Sequence, residues 1–108
     1  MHRINMPKGA LGMLILRGLR SGPLHGYAIA QRIRQLSGEV LDADEGSLYP
    51  ALQRMLMEGW VTAEWGLSET KRQVRFYSLT PDGRKQLRQE MADYGRVSAA
   101  IQGILETA

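Results

Sequence analysis

The sequence predicts a mainly helical α+β fold in which three short helices, a β-hairpin and a long C-terminal helix follow one another. Two changes in hydrophobic period support this order. Up to Gly59, apolar residues recur at intervals of three and four, as on one face of a helix. From Trp60 to Leu79 they alternate as in strands, and after Thr80 the helical interval returns and continues to Leu105. With 108 residues the chain is long enough for one compact domain with its own core.

The composition is compatible with a polyanionic partner and excludes several kinds of site. Lys and Arg number 14 against 11 Asp and Glu, which gives a formal charge of +3 and a pI of about 9.6. There is no cysteine, so a disulfide or a thiolate metal site is excluded. The sequence has no Gly-rich phosphate loop, paired acids or metal-spaced ligands, so we expect neither an enzyme nor a bound metal or cofactor. It also has no apolar run of about 18 residues and no signal peptide, so we expect a cytoplasmic protein without a membrane partner.

The N-terminal part predicts an irregular arm and then a helix. Residues 1–8 form the arm, in which His2, Arg3 and Lys8 can reach an anion. Apolar residues cover nearly the whole circumference of the helix that follows, with Leu11, Leu14, Ile15 and Leu19 on one face and Met13 and Leu16 on its flanks. Such a helix is buried on more than one side. The second apolar side packs either within one chain or against a second subunit, and the spacing leaves both alternatives open.

The second helix starts near His25, after the break at residues 21–24. Its predicted core stripe consists of Ile29, Ile33 and Leu36. Tyr27 stands in the first turn, where its hydroxyl can reach solvent or a phosphate, and Arg32 and Arg34 lie outside. For His25 we expect a capping or structural role, because no nucleophile or carboxylate motif accompanies it.

The third helix is predicted between Asp44 and Gly59. Its inner face carries Leu48, Ala51, Leu52, Met55 and Leu56, and its outer face carries Gly46, Pro50, Gln53, Arg54 and Met57. Proline is tolerated only near a helix start, which allows either Asp44 or Ser47 as the N-cap; we favour Asp44. Gly59 ends the helix because glycine reaches the left-handed conformation at no steric cost.

Two strands and a long helix complete the chain. The strands are predicted at residues 60–65 and 73–79, and their connecting loop and second strand carry Lys71, Arg72 and Arg75. Thr80 and Pro81 are typical of an N-cap and a first helical position. The spacing of a coiled-coil seam is then followed by Leu87, Met91, Tyr94, Ser98, Ile101 and Leu105, and Val97 and Ile104 widen this stripe. The predicted dimerisation residues are Leu87, Met91, Tyr94, Val97, Ile101 and Leu105.

This order of elements predicts a winged helix-turn-helix at residues 1–80 and a C-terminal dimerisation helix at residues 81–108, within one compact domain. The third helix has the width of the DNA major groove, and the hairpin can lie on the adjacent backbone. Gln53 and Arg54 suit adenine and guanine edges, while Gly46 and Pro50 permit close backbone approach. The basic hairpin, with Arg32 or Arg34, would bind phosphates.

Four segments resemble the signature segments of PadR-family transcriptional regulators. They are Leu24–Tyr27, Gly46–Leu52, Glu58–Trp60 and Tyr77–Gly83. With a single C-terminal helix, the chain is similar to the compact PadR subfamily, and it resembles PadR-like regulators of acidobacterial genomes. The resemblance implies a homodimeric repressor that binds a pseudo-palindromic operator in double-stranded DNA.

From the residues and this resemblance together we predict ten DNA-binding residues: Tyr27, Gly46, Ser47, Tyr49, Pro50, Gln53, Arg54, Lys71, Arg72 and Arg75. The resemblance also places Tyr94 where a multidrug-responsive family member has a tryptophan that stacks on flat ligands. A crevice for a small aromatic effector is therefore predicted at Met13, Leu16, Met91 and Tyr94. The alternative is that these four residues fill the dimer core. The alternative for the whole protein is a winged-helix module that binds another protein instead of DNA.

Overall fold

The structure is a computed structural model that describes residues 4–5 and 9–107. It contains four α-helices: α1 (Leu11–Gly18), α2 (Gly26–Leu36), α3 (Glu45–Glu58) and α4 (Pro81–Glu106). It contains five strands: β1 (Ile4–Asn5), β2 (Leu24–His25), β3 (Leu41–Asp42), β4 (Val61–Leu67) and β5 (Gln73–Leu79). The predicted order of three helices, a hairpin and a long helix is confirmed.

The backbone of β1 pairs in parallel with β3, so that part of the N-terminal arm is ordered where the sequence predicted irregular structure. A strand of two residues has no period from which it could be predicted. The arm residues His2, Arg3 and Lys8, for which we predicted contact with an anion, lie outside the described residues.

The core is built from all four helices. Its fully buried large side chains are Ile15, Leu16, Leu19, Ile29, Leu48, Leu52, Met55 and Leu87. Helix α1 contacts α2, α3 and α4, which explains why it is apolar nearly all round. Of the two alternatives for α1, burial within one chain therefore accounts for Met13, Ile15, Leu16 and Leu19.

Leu36 corrects the predicted core stripe of α2. Ile29 and Ile33 are buried as predicted, but the side chain of Leu36 is 59% exposed. Leu36 is the last residue of α2, and the chain turns away at Gly38 in the left-handed conformation. Leu36 therefore lines an open groove with Leu14 and Leu41 instead of packing in the core.

Helix α3 begins where the favoured alternative placed it. Asp44 is the N-cap, and its carboxylate accepts a hydrogen bond of 2.8 Å from the backbone N–H of Ser47. Pro50 lies inside the helix and cannot donate to the residue four positions earlier, which is Gly46. Gly59 ends α3 in the left-handed conformation, with a φ of 76°.

The hairpin belongs to a three-stranded sheet in the order β2, β5, β4. Strand β4 extends two residues beyond its predicted end, and Trp65 lies opposite Arg75 in the antiparallel register. Strand β2, which the sequence did not predict, pairs with β5 and attaches the start of α2 to the root of the hairpin. The N-terminus of α2 is therefore held directly beside the wing.

Thr80 joins the end of α3 to the start of α4. Its hydroxyl donates to the Gly59 carbonyl (2.7 Å) and accepts from the Gly83 N–H (2.9 Å), as expected of the predicted N-cap. Leu87 is the last residue of α4 that is buried in the core. Beyond it, Met91, Tyr94, Val97, Ile101, Ile104 and Leu105 are 44 to 74% exposed. No helix in the described part of the chain is long and apolar enough to cross a membrane.

Candidate nucleic-acid interface

The N-termini of α2 and α3 and the β4–β5 hairpin surround an open cleft of about 880 Å³. We refer to residues 61–79 as the wing. The cleft residues used below are His25, Gly26, Tyr27 and Gln31 from the start of α2, Glu45 and Tyr49 from α3, and Trp65, Arg72, Arg75 and Tyr77 from the wing. Four of the ten predicted DNA-binding residues therefore line a single cleft.

Tyr49 packs against the start of α2. A β-carbon on Gly26 would lie 2.6 Å from the Tyr49 hydroxyl and 2.8 Å from its nearest ring carbon, so only glycine leaves room for this contact. The pKa of Tyr49 is raised, first by burial and then by the nearby carboxylate of Glu45. The hydroxyl is therefore protonated at neutral pH and can donate a hydrogen bond.

The outer face of α3 is exposed. This holds for all its predicted residues, which are Gly46, Pro50, Gln53, Arg54 and Met57. The inner residues Leu48, Leu52 and Met55 anchor the helix in the core. The hydroxyl of Ser47 lies 3.4 Å from a carboxylate oxygen of Asp44, to which it donates. The predicted division of α3 into an inner and an outer face is confirmed by these exposures.

The tip of the wing is an ordered basic turn. Ser68 organises it, because its N–H donates to the Arg72 carbonyl (2.8 Å) and its hydroxyl accepts from the Arg72 N–H (3.2 Å). Lys71 adopts the left-handed conformation with a φ of 61°. Both Lys71 and Arg72 are exposed, and Arg75 is partly buried further down the wing. The three predicted basic residues therefore lie along one hairpin.

Arg75 lies over two aromatic rings. Its Cζ lies 5.8 Å from the centroid of the Trp65 ring and 5.9 Å from that of the Tyr77 ring. Both distances are in the range of a cation–π contact. Trp65 was not among the predicted DNA-binding residues. The signal that identifies it is its register opposite Arg75.

Arg34 was predicted to lie outside the core as a cation available to bind phosphate, but in the structure it forms an ion pair. Its guanidinium donates to the Asp42 carboxylate over 2.6 Å in an ion pair. The hydrogen bond and the charge of Asp42 raise the pKa of Arg34. Arg32, the other candidate, donates to the Ser21 hydroxyl (2.8 Å) and forms no ion pair among the described residues. Arg34 is therefore a link between α2 and β3.

His25 packs against the wing. Its ring meets Phe76 edge-on at 5.6 Å between centroids, and it stands at the N-cap of α2 without a side-chain capping hydrogen bond. Of its two expected roles, the structural one fits. Across the described residues, no group of three His, Asp or Glu side chains is placed to hold a metal ion.

The four residues of the predicted effector crevice divide between the core and the surface. Leu16 is fully buried and Met13 is 9% exposed within one chain. Met91 and Tyr94 are 44% and 54% exposed on α4. A shared crevice at these residues would need a second chain over α4, and it stays a prediction.

The comparison with known families identifies the chain. Residues 15–89 match the transcriptional regulator PadR-like family. The chain belongs to this family. The match runs from the second half of α1 through the first turns of α4 and includes the cleft and the wing.

Two individual proteins share long stretches of similar sequence with this chain. The chain is 33% identical over 73 residues to the negative transcriptional regulator PadR of Bacillus subtilis, covering 68% of this chain and 40% of that protein. It is 44% identical over 89 residues to an uncharacterized transposon protein of Streptomyces fradiae, covering 82% of this chain and 24% of that protein. The matched part thus spans well under half the length of both relatives.

A solved structure shows the same architecture over almost the whole chain. A transcriptional regulator from Clostridium thermocellum superposes with a TM-score of 0.83 at 28% identity, and the match covers 92% of this chain and 96% of that one. The winged-helix fold with a C-terminal helix is therefore confirmed.

Proposed function

We propose that this protein binds specific DNA sequences as a homodimer and represses transcription from them. The observation that carries the proposal is the cleft in which Tyr27, Tyr49, Arg72 and Arg75 converge beside the exposed outer face of α3. Three elements far apart in sequence thus present polar and basic groups on one surface. Membership of a family of transcriptional regulators supports DNA as the partner of that surface.

In this proposal α3 reads bases and the wing binds the backbone. Gln53 and Arg54 follow Pro50 by one turn, so that the exposed start of the helix approaches the groove and the longer donors reach base edges. Gly46 and Ser47 allow the backbone to come close. Tyr27 and the basic residues of the wing, which are Lys71, Arg72 and Arg75, bind phosphates and set the orientation of the module.

The exposed apolar residues of α4 support a homodimer. Five of the six predicted dimerisation residues, from Met91 to Leu105, are 44 to 73% exposed within one chain. An apolar stripe of this length is unusual on a soluble monomer and is typical of an association surface. Pairing α4 with its copy would place two α3 helices on the half-sites of a pseudo-palindromic operator. The name of the Bacillus subtilis relative, a negative regulator, supports repression as the outcome.

We also propose, more narrowly, that a small aromatic effector binds the protein and releases it from DNA. It is supported by the exposed Met91 and Tyr94, since an adaptable thioether and a flat ring suit planar ligands. Isothermal titration of the dimer with planar aromatic compounds tests it. Binding that Tyr94→Ala abolishes supports this site, and binding that is unchanged in Tyr94→Ala contradicts it.

Fluorescence anisotropy with duplexes from the promoter next to the gene tests the main proposal. We expect one duplex to bind, with an affinity that falls linearly with salt concentration on a logarithmic scale. Binding that is insensitive to salt, or absent from every duplex, would contradict it. The alternative of a protein-binding module predicts that no duplex binds and that Gln53→Ala and Arg54→Ala abolish capture of a protein partner instead.

A further inference from the structure

Trp65 is a large exposed side chain that the DNA contacts proposed above do not use. It is 67% exposed and lies in β4 directly opposite Arg75 of β5. Cross-strand partners project from the same face of a sheet. The two side chains therefore meet on the face of the wing that borders the cleft, and both line that cleft.

The guanidinium of Arg75 lies near two aromatic rings and forms no ion pair within the described residues. Its Cζ lies 5.8 Å from the Trp65 centroid and 5.9 Å from the Tyr77 centroid, so ring faces account for its packing. In residues 9–107, Arg75 forms no ion pair with a carboxylate. Stacking uses the faces of a guanidinium and leaves its N–H groups available to an anion.

The two rings differ in how firmly they are held. Tyr77 is only 6% exposed and belongs to the core, so it is a fixed wall. Trp65 stands near the tip of the wing, where core packing no longer covers it. Of the two contacts, the one with Trp65 can therefore be removed without opening a cavity in the core.

We infer that Trp65 is a positioning residue of the DNA interface, which holds the Arg75 guanidinium against Tyr77 so that its N–H groups meet a DNA phosphate at the cleft. This inference rests on the proposed function. A long arginine side chain loses conformational entropy when it is ordered on binding. Stacking orders it beforehand, and the fork geometry then allows two parallel hydrogen bonds to one phosphate.

Lys71 provides the matched comparison within the same hairpin. It is a cation at the exposed tip of the wing, and no aromatic ring within the described residues packs over it. Its contribution to DNA binding should therefore not depend on Trp65. A comparison of Arg75 with Lys71 therefore separates the effect of holding a cation in place from the effect of its charge alone.

A double-mutant cycle between Trp65 and Arg75 tests the inference. The probe is a labelled duplex of about 30 base pairs, enough for two half-sites one helical turn apart, enriched from a random-sequence library with the full chain. Trp65→Leu should weaken binding about two- to fivefold per wing, or about 4- to 25-fold for a dimer with two wings. It should have little further effect in the Arg75→Ala background. Trp65→Phe, which keeps a ring, should restore most of the affinity.

The control is a second double-mutant cycle that combines Trp65→Leu with Lys71→Ala. In this cycle the effects of the two substitutions on the free energy of DNA binding should be additive. Additive effects of Trp65→Leu and Arg75→Ala would overturn the inference, as would a loss in Trp65→Phe as large as in Trp65→Leu. Circular dichroism melts of each variant check that the fold is kept. If the unsubstituted protein bound no duplex, the proposed function would fail together with this inference. Binding with an additive cycle would remove only the role of Trp65.

Discussion

Tyr49 occupies the space that a β-carbon on Gly26 would need, since that atom would lie 2.6 Å from the Tyr49 hydroxyl. Two segments that look like separate motifs in the sequence, one at the start of α2 and one at the start of α3, are therefore a single packed unit. This contact fixes how the two helix N-termini face the cleft. The wing joins the unit through β2, which pairs with β5 beside Gly26.

Substitution of Gly26 should weaken DNA binding by displacing Tyr49. In Gly26→Ala the ring of Tyr49 must move, and the strain should cost about 1 to 3 kcal/mol of unfolding free energy. The loss should be much smaller in a Tyr49→Ala background, where the space is vacant. Urea unfolding and DNA anisotropy of the two single variants and the double variant measure this.

Gly18→Ala is the matched control for Gly26, because its β-carbon would make only an ordinary contact of 3.7 Å with Arg32. It should be neutral or stabilise the chain by up to about 1 kcal/mol, since alanine is the better helix former. An equal loss of stability in both alanine variants would contradict the Tyr49 contact as the cause.

Removal of the α3 cap should lower both stability and affinity for DNA. Asp44→Ala deletes the acceptor of the Ser47 N–H and should cost about 1 kcal/mol of unfolding free energy. Because Ser47 and Gly46 lie in the first turn, fraying there should also weaken binding to DNA. Asp44→Asn keeps a capping oxygen and should behave nearly as the unsubstituted chain in the same two assays. Asparagine and alanine variants of equal stability would mean that the cap is not formed.

The start of α4 should not accept a side chain at Gly83. A β-carbon there would overlap the backbone oxygen of Trp60, which cannot move without disturbing the connection between α3 and β4. Gly83→Ala should therefore destabilise the chain by about 1 to 3 kcal/mol or more. At Gly103, also in α4, a β-carbon meets nothing within 4 Å, and Gly103→Ala should be neutral or stabilising. Thermal unfolding compares the two, and a stable Gly83→Ala variant would contradict the packing described for this turn.

The sequence was sufficient for features whose cause is local. Asp44 and Thr80 cap α3 and α4 through side chains that bond within three residues, so composition and spacing alone placed both helix starts. The exposed outer face of α3 followed from its helical period in the same way.

Features that depend on distant partners could not be predicted in this way. Arg34 looked like a free cation until the fold brought Asp42 within 2.6 Å. Leu36 fits the period of α2, but it lines the open groove beside Leu14 and Leu41 and is 59% exposed. Trp65 lies beside Arg75 because of the register of the hairpin, which the loop length sets. The predicted first strand ended two residues too early, so the sequence alone did not give this register.

The roles of α3 and the wing should separate in binding assays. Arg54→Ala should cost about 1 to 3 kcal/mol on a selected duplex and little on unrelated DNA, because it removes a base contact. Lys71→Ala should weaken binding to both about equally and reduce the salt slope, because a phosphate contact carries no sequence information. The same pattern for both variants would show that the roles are assigned wrongly.

The most direct test of the central claim is selection of bound duplexes from a random-sequence library, combined with sedimentation of the complex. If the protein reads DNA through two α3 helices of a dimer, selection should enrich a dyad-symmetric sequence with half-sites about one helical turn apart. The complex should then contain two chains per duplex. Recovery of no common sequence, or of an asymmetric site bound by a single chain, would contradict it.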